Sequence, residues 1–298
     1  MQSHILVPLD GSKLAETILP HALFFARQTQ SVLTLLRVIM PPGEPAYPVP
    51  YIPDDWYAGE VSWTKSYLNS VATRLKAQGV PVEAQYMEGT FAGAAIQSYA
   101  EGHPEVQLIA LATHGRDAGG RLLLGSVAGD VYSSTPTSLL LLHPAKDEPI
   151  PSGPVIQATY ETMVVPLDGT EVSERVLERA TDLALACHAS VLLVSVFPTH
   201  LLEEEVIVDD IVDPMQKVPA YEEKERNDIL ETQAEHVRSS TGLPVQTLIA
   251  QGDPGASIER YFGKNQRHQL IVTTRKQAEH KVMRFLHRST VPVLFVAL

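Results

Sequence analysis

The chain is short of cysteine, of basic residues and of long apolar runs, and each shortage excludes something. A single cysteine, Cys187, cannot close an internal disulfide. It falls in a helical apolar stripe, where a buried structural thiol in a reducing compartment is expected. Lys and Arg number 23 against 35 Asp and Glu, a formal net charge of −12. No nucleic-acid or anionic-membrane partner is therefore expected, since both require a basic face. A small anion stays admissible, because it meets local amides and side chains rather than the total charge. The most apolar run, Leu139–Leu142, is far shorter than the ~20 residues that span a bilayer. The opening Met1-Gln-Ser-His-Ile-Leu-Val-Pro8 has no basic region and no long apolar stretch, so no signal peptide is expected and the chain reads as cytoplasmic. Also missing are a Walker A sequence and any His and carboxylate grouping at metal-ligand spacing.

What the chain has in quantity is repetition. Val7-Pro-Leu-Asp-Gly11 returns letter for letter as Val165-Pro-Leu-Asp-Gly169, 158 residues on. Leu14, Ile18, Ala22 and Phe25 map at the same offset onto Val172, Val176, Ala180 and Leu183, the spacing of one core-facing helix stripe in each half. Farther along, Gly79-Val-Pro-Val matches Gly242-Leu-Pro-Val, and Leu108-Ile-Ala matches Leu270-Ile-Val. A length of 298 residues suits two domains. The expected division is 1–145 and 161–298, joined by a linker over 146–160; the surrounding stretch Pro144–Pro154 holds four prolines and a glycine.

Within the first half, apolar β-rich runs alternate with amphipathic ones. Ile5–Leu9, Val32–Ile39, Val82–Met87, Val106–Thr113 and Leu139–Leu142 read as strands. Ser12–Thr29, with Ser12 as N-cap, the stripe Leu68, Val71, Ala72, Leu75, then Ala92–Glu101 and Ser126–Ser134 read as helices. Five strands and four helices in alternation predict an α/β fold, a parallel sheet with helices on both faces. Two segments break the alternation. Pro41–Pro53 holds six prolines, and 198–219 carries Glu203-Glu-Glu and Asp209-Asp. Both follow the second strand of their half and read as loops at the carboxyl edge of the sheet, either solvated or acting as a lid or partner contact.

In an open parallel sheet a ligand sits beyond the carboxyl ends of the strands where the strand order reverses. With the order 3-2-1-4-5 that point lies between strands 1 and 4, beside Asp10 and Thr113-His-Gly115. The loop after strand 4 carries Gly115, Gly119, Gly120 and Gly125, which let backbone amides approach a phosphate. Gly125-Ser126 then opens a helix whose free amides and positive dipole end favour an anion. Ser126 can cap that helix or give its hydroxyl to a phosphate oxygen, and Arg116 and Arg121 offer compensating charge.

These motifs resemble the universal stress protein family in its tandem-domain form. Its ATP-binding members carry Gly, two residues, Gly, nine residues, then Gly-Ser or Gly-Thr. Gly115, residues 116–124 and Gly125-Ser126 follow that pattern, with Ala112 where the first glycine stands. Leu6-Val-Pro-Leu-Asp-Gly-Ser12 also looks like the family's first strand and turn. The resemblance covers nearly all of both halves and implies Rossmann-like domains, each a five-stranded parallel sheet of order 3-2-1-4-5. It implies that Asp10 and the backbone near Val38 contact adenosine, while Gly115, Gly125, Ser126 and Val127 hold phosphates. The candidate binding residues together are Pro8, Leu9, Asp10, Val38, Ala112, Thr113, His114, Gly115, Arg116, Gly125, Ser126 and Val127. The cofactor expected there is ATP, or ADP or AMP, with or without Mg.

The second half departs from this pattern. The interval from Thr274 to Pro292 is eight residues shorter than that from Ala112 to Ser138, and no glycine occurs from Lys264 onward. No cofactor is expected there. Arg275, Lys276, Lys281, Arg284 and Arg288 read as a solvated basic helix face. The resemblance further suggests that Leu139–Leu142 and Val293–Val296, too apolar for open edges, pair as an intramolecular pseudo-dimer, with a homodimer of two chains also open.

Three functions fit: a stress-response adenine-nucleotide sensor working through the first half, a nucleotide-free interaction scaffold, and an enzyme such as a slow ATP hydrolase. The enzyme is the weakest. Asp10-Gly-Ser-Lys-Leu14 lacks the glycine cradle of adenylating relatives, and His114 reads as a hydrogen-bonding or structural histidine rather than a general base.

Overall fold

The computed structural model describes residues 2–41, 55–113, 125–144, 153–167, 170–197, 220–251, 260–262, 268–275 and 291–298. The chain divides into two compact units, Met1–Thr159 and Tyr160–Val296. In unit 1 the strands are β1 (His4–Pro8), β2 (Val32–Ile39), β3 (Val82–Glu88), β4 (Val106–Ala112) and β5 (Ser138–Leu142). They hydrogen-bond in the order β3-β2-β1-β4-β5, every pairing parallel, with Leu6 opposite Thr34 on one side and Ile109 on the other. The helices are α1 (Leu19–Thr29), α2 (Trp56–Lys76), α3 (Ala92–Gly102) and α4 (Ser126–Ser134).

The central strands are buried on both faces, as parallel sheets require. Ile5, Leu6, Val7, Leu33, Leu35, Ile109, Ala110, Leu139 and Leu140 are all buried. Ile18, Ala22 and Phe25 on the first helical stretch, and Leu68, Val71, Ala72 and Leu75 on α2, close over them. Edge strand β3 differs: Glu83, Ala84, Gln85 and Tyr86 are exposed. Its charged residues mark it as the blunted edge of the sheet.

One expected helix is split. The run from Ser12 to Thr29 forms a 3-10 turn, Ala15–Ile18, and only then α1 from Leu19. Pro20 is the cause. It has no N–H and its ring excludes the carbonyl four residues back, so it fits only the first turn of a new helix. Ser12 is not the N-cap expected of it: Leu14 takes that position in the 3-10 turn, and Ser12 Oγ accepts the Ala15 amide at 3.1 Å from two residues further back. Residues beyond the last strand belong to unit 1 as well. Ala158 N donates to the Pro20 carbonyl at 3.0 Å, and Arg27 donates to Gln157 Oε1 at 2.6 Å.

Unit 2 repeats the plan with β6 (Thr162–Leu167), β7 (Ser190–Phe197), β8 (Val245–Gln251), β9 (Gln269–Thr273) and β10 (Val293–Phe295). Their order within the unit is β8-β7-β6-β9-β10, again parallel. Helix α5 (Glu171–Cys187) starts on Thr170, whose side chain accepts the Ser173 amide, and α6 (Ala220–Thr241) follows β7. Cys187 is half-buried, and burial raises its thiol above the usual range. Among the described residues no helix is long and apolar enough to cross a membrane.

Candidate functional site

The strand order reverses at β1, which lies between β2 and β4. The crevice of unit 1 therefore opens between the carboxyl ends of β1 and β4. On one side Pro8 ends β1 opposite Leu36, and the Leu9 amide carries the ladder one step further to the Leu36 carbonyl at 2.8 Å. Leu9 is buried, while Asp10 is exposed at the mouth. The turn is built locally: Asp10 Oδ1 accepts the Ser12 amide at 2.7 Å, and Gly11 takes φ +90. An L residue rarely adopts that backbone, so glycine is required for the tight reversal.

A second reason for glycine comes from α2. A Cβ at Gly11 would lie 2.3 Å from the Trp63 ring atom Cη2. Trp63 in turn stacks on Tyr67, ring centroids 5.3 Å apart and planes 8° from parallel. The Arg37 guanidinium, carried by β2, lies 4.3 Å from the Trp63 ring centroid. Arg37 is fixed by Glu60 at 3.2 Å and by the buried Thr64 hydroxyl. Burial, with the carboxylates of Glu16 and Asp10 nearby, raises the Tyr67 hydroxyl above its ordinary range. Val38, the next β2 residue, is half-buried and pairs with Met87.

Across the crevice, Ala112 is the last residue of β4 and pairs with Leu142. It is not among the residues with positive φ, so its backbone does not call for glycine. Thr113 is 5% exposed. Its amide donates to the Leu142 carbonyl at 2.8 Å, and its hydroxyl lies 3.0 Å from His143 Nδ1. That hydroxyl therefore has a protein partner already. Helix α4 begins at Ser126 with Gly125 as N-cap, φ −50 and ψ 152, and no side chain caps it. Of the two roles expected for Ser126, capping is thus ruled out by position: it is the first helical residue, and exposed. Val127 behind it is half-buried. Close packing holds α4 in place, since a Cβ at Gly93 of α3 would lie 2.5 Å from Asp130 Cβ.

Of the expected site residues, Pro8, Leu9, Asp10, Ala112 and Thr113 fall at the ends of the two strands flanking the switch point. Gly125, Ser126 and Val127 form the start of α4, and Val38 lies near the carboxyl end of β2. His114, Gly115 and Arg116 lie outside the described residues, as do the segments 42–54 and 198–219. The sequence reading missed Trp63, Tyr67 and Arg37. The spacing of Trp63 and Tyr67 puts both rings on one helix face, but nothing local ties that face to Gly11. In unit 2, Thr274 is buried after β9 and Arg275 is half-buried; the basic residues from Lys276 to Arg288 lie outside the described residues. Among the described residues no group of His, Cys, Asp or Glu could hold a metal ion.

The architecture defines a class: a duplicated, Rossmann-like α/β domain whose strand order reverses at the first strand. Its sequence narrows the class further. The profile of the universal stress protein family matches residues 1–143 and again 159–297, and the chain belongs to that family. A universal stress protein from Archaeoglobus fulgidus DSM 4304 is similar in fold, with a TM-score of 0.68, 17% identity, and coverage of 98% of this chain and 95% of that one. A putative universal stress protein from Pseudomonas aeruginosa UCBPP-PA14 gives 0.62, 16%, 99% and 93%. A functionally unknown protein from Pseudomonas aeruginosa PAO1 gives 0.62, 17%, 99% and 92%. No curated protein gives a significant match.

Proposed function

We propose that unit 1 binds an adenine nucleotide, ATP or its ADP or AMP products, at the carboxyl edge of its sheet, and that the chain serves as a nucleotide-responsive stress regulator. The observation that carries this reading is the bare start of α4. Gly125 gives its helix no side-chain cap, so among the described residues no cap side chain takes the first-turn amides at the positive end of the helix dipole. A phosphate satisfies both demands at once. Asp10, exposed at the opposite lip, offers a carboxylate for ribose hydroxyls, and Val38 offers backbone groups for the base. Ala112 does not oppose this, because a strand residue without positive φ accepts a methyl group.

Unit 2 serves a structural role in this reading, and the protein binds its nucleotide without a dedicated catalytic apparatus. Mg would enter, where it does, with the phosphates rather than through a protein cage.

Thermal melting of the full chain with and without ATP tests the reading. Ligand at a hundred times its Kd stabilises a binding unit by about 2.7 kcal/mol, which raises the melting temperature of unit 1. Gly125→Val should remove the ATP-dependent rise, because the branched side chain crowds the phosphate position. No rise at millimolar ATP overturns the proposal and favours a nucleotide-free interaction module. Phosphate release at a steady rate proportional to enzyme would instead establish an ATP hydrolase.

A further inference from the structure

We propose that the Arg37–Trp63–Tyr67 stack is a positioning device that holds the Asp10–Gly11 turn in its ligand-ready shape, and that unit 2 lacks this device. The ligand part of the inference rests on the nucleotide reading above; the positioning part does not. The edge of the Trp63 indole occupies the space beside Gly11 where any Cβ would fall, 2.3 Å from Cη2. The Arg37 guanidinium and the parallel Tyr67 ring both lie against the indole. Arg37 is tethered to Glu60 and Thr64, so with Trp63 and Tyr67 about two turns of α2 contribute to the clamp. Trp63 is still 47% exposed, so it contributes little to the core that Leu68, Val71, Ala72 and Leu75 form. Its closest business is with the turn.

The second unit supplies an internal comparison. β2 and β7 correspond residue for residue, Pro8 pairing with Leu36 as Pro166 pairs with Val194. Arg37 then corresponds to Ser195, which is buried. In the helices the buried Leu68, Ala72 and Leu75 correspond to the buried Leu230, Ala234 and Val237, 162 residues on. Trp63 and Tyr67 accordingly become Glu225 and Ile229, both exposed. All three members of the stack are replaced in the unit whose sequence has no glycine after Gly263. Packing alone would not require that joint loss, since β7 and α6 form without the stack. A shared service to the ligand explains it.

The test uses the full chain with Trp63→Ala and Trp63→Phe, read in two ways. In the ligand-free protein, hydrogen exchange is followed at the Ser12 amide, which donates to Asp10. Trp63→Ala should speed that exchange by about tenfold or more while the β2 amides keep their protection, and Trp63→Phe should restore it. In titration calorimetry with ATP, Trp63→Ala should weaken binding by about tenfold, with recovery in Trp63→Phe. Unchanged Ser12 exchange in Trp63→Ala overturns the proposal whatever the nucleotide result. So does equal ATP affinity in the wild type and Trp63→Ala. If the wild type binds no ATP, the functional reading fails and the exchange measurement alone judges the clamp. Should Trp63→Ala lose β2 protection and unfold, Arg37→Met, which removes the guanidinium from the stack and keeps an apolar stem, takes its place with the same expected outcomes.

Discussion

His21 makes the stability of unit 1 depend on acidity, by an amount that can be worked out. It follows Pro20 in the first turn of α1, and burial lowers it from 6.5 to about 4. The folded unit therefore keeps a neutral imidazole where the unfolded chain would already carry a proton. The stability from this group is fully present above about pH 6.5. It is lost as acidity increases towards about pH 4, because only the unfolded state takes up the proton in that window. At about 1.4 kcal/mol per tenfold change in proton affinity, the whole effect is about 3 kcal/mol, and about 2 kcal/mol of it is gone by about pH 5. Both tryptophans, Trp56 and Trp63, lie in unit 1, so tryptophan fluorescence in urea reports this unit apart from its neighbour. Between about pH 7.5 and pH 5, His21→Gln should lose about 2 kcal/mol less stability than the wild type. The comparison is between two pH values within each protein, so any fixed cost of the substitution cancels. Equal pH dependence in the two proteins would refute the assignment of this burial cost to His21.

Two further outcomes follow from local contacts. Arg74 on α2 pairs with Glu16 of the 3-10 turn, both mostly buried. Arg74→Ala leaves that carboxylate without its cation and should cost unit 1 about 3 kcal/mol in the same fluorescence assay; a cost within ~0.5 kcal/mol would mean that water replaces the guanidinium freely. Thr170→Ala removes the side chain that accepts the Ser173 amide at the start of α5. It should lower the stability of unit 2 by about 1 kcal/mol by circular dichroism and leave the tryptophan transition of unit 1 in place.

The elements that the sequence announced are those set by neighbours along the chain. β2 spans Val32–Ile39 and α4 spans Ser126–Ser134, both as their periodicity predicts. The duplicated Val-Pro-Leu-Asp-Gly motif likewise announced two domains of one kind. The misreading of Ser12–Thr29 as one helix came from weighing the apolar stripe above Pro20, whose missing N–H is itself a local fact. Other features were invisible because their partners are distant in sequence. Asp10 and Thr113 are named by motif, but only parallel pairing of β1 with β4 puts the two strand ends they follow side by side. Thr113 is a candidate binding residue by sequence, and only the pairing of β4 with β5 brings its hydroxyl up to His143.

What the amino-acid order determined on its own was the alternation of strand and helix, the duplication, and the glycine-bearing turns of the first half. These rest on torsional preferences and on the repeat of apolar residues, both of which act over a few positions. Tertiary structure alone decided that an arginine of β2 and two rings of α2 would meet at Gly11, and that the Thr113 hydroxyl would meet His143. Those outcomes depend on how strands pair and how a helix settles on a sheet, which is governed by the joint packing of many side chains rather than by any short run of them.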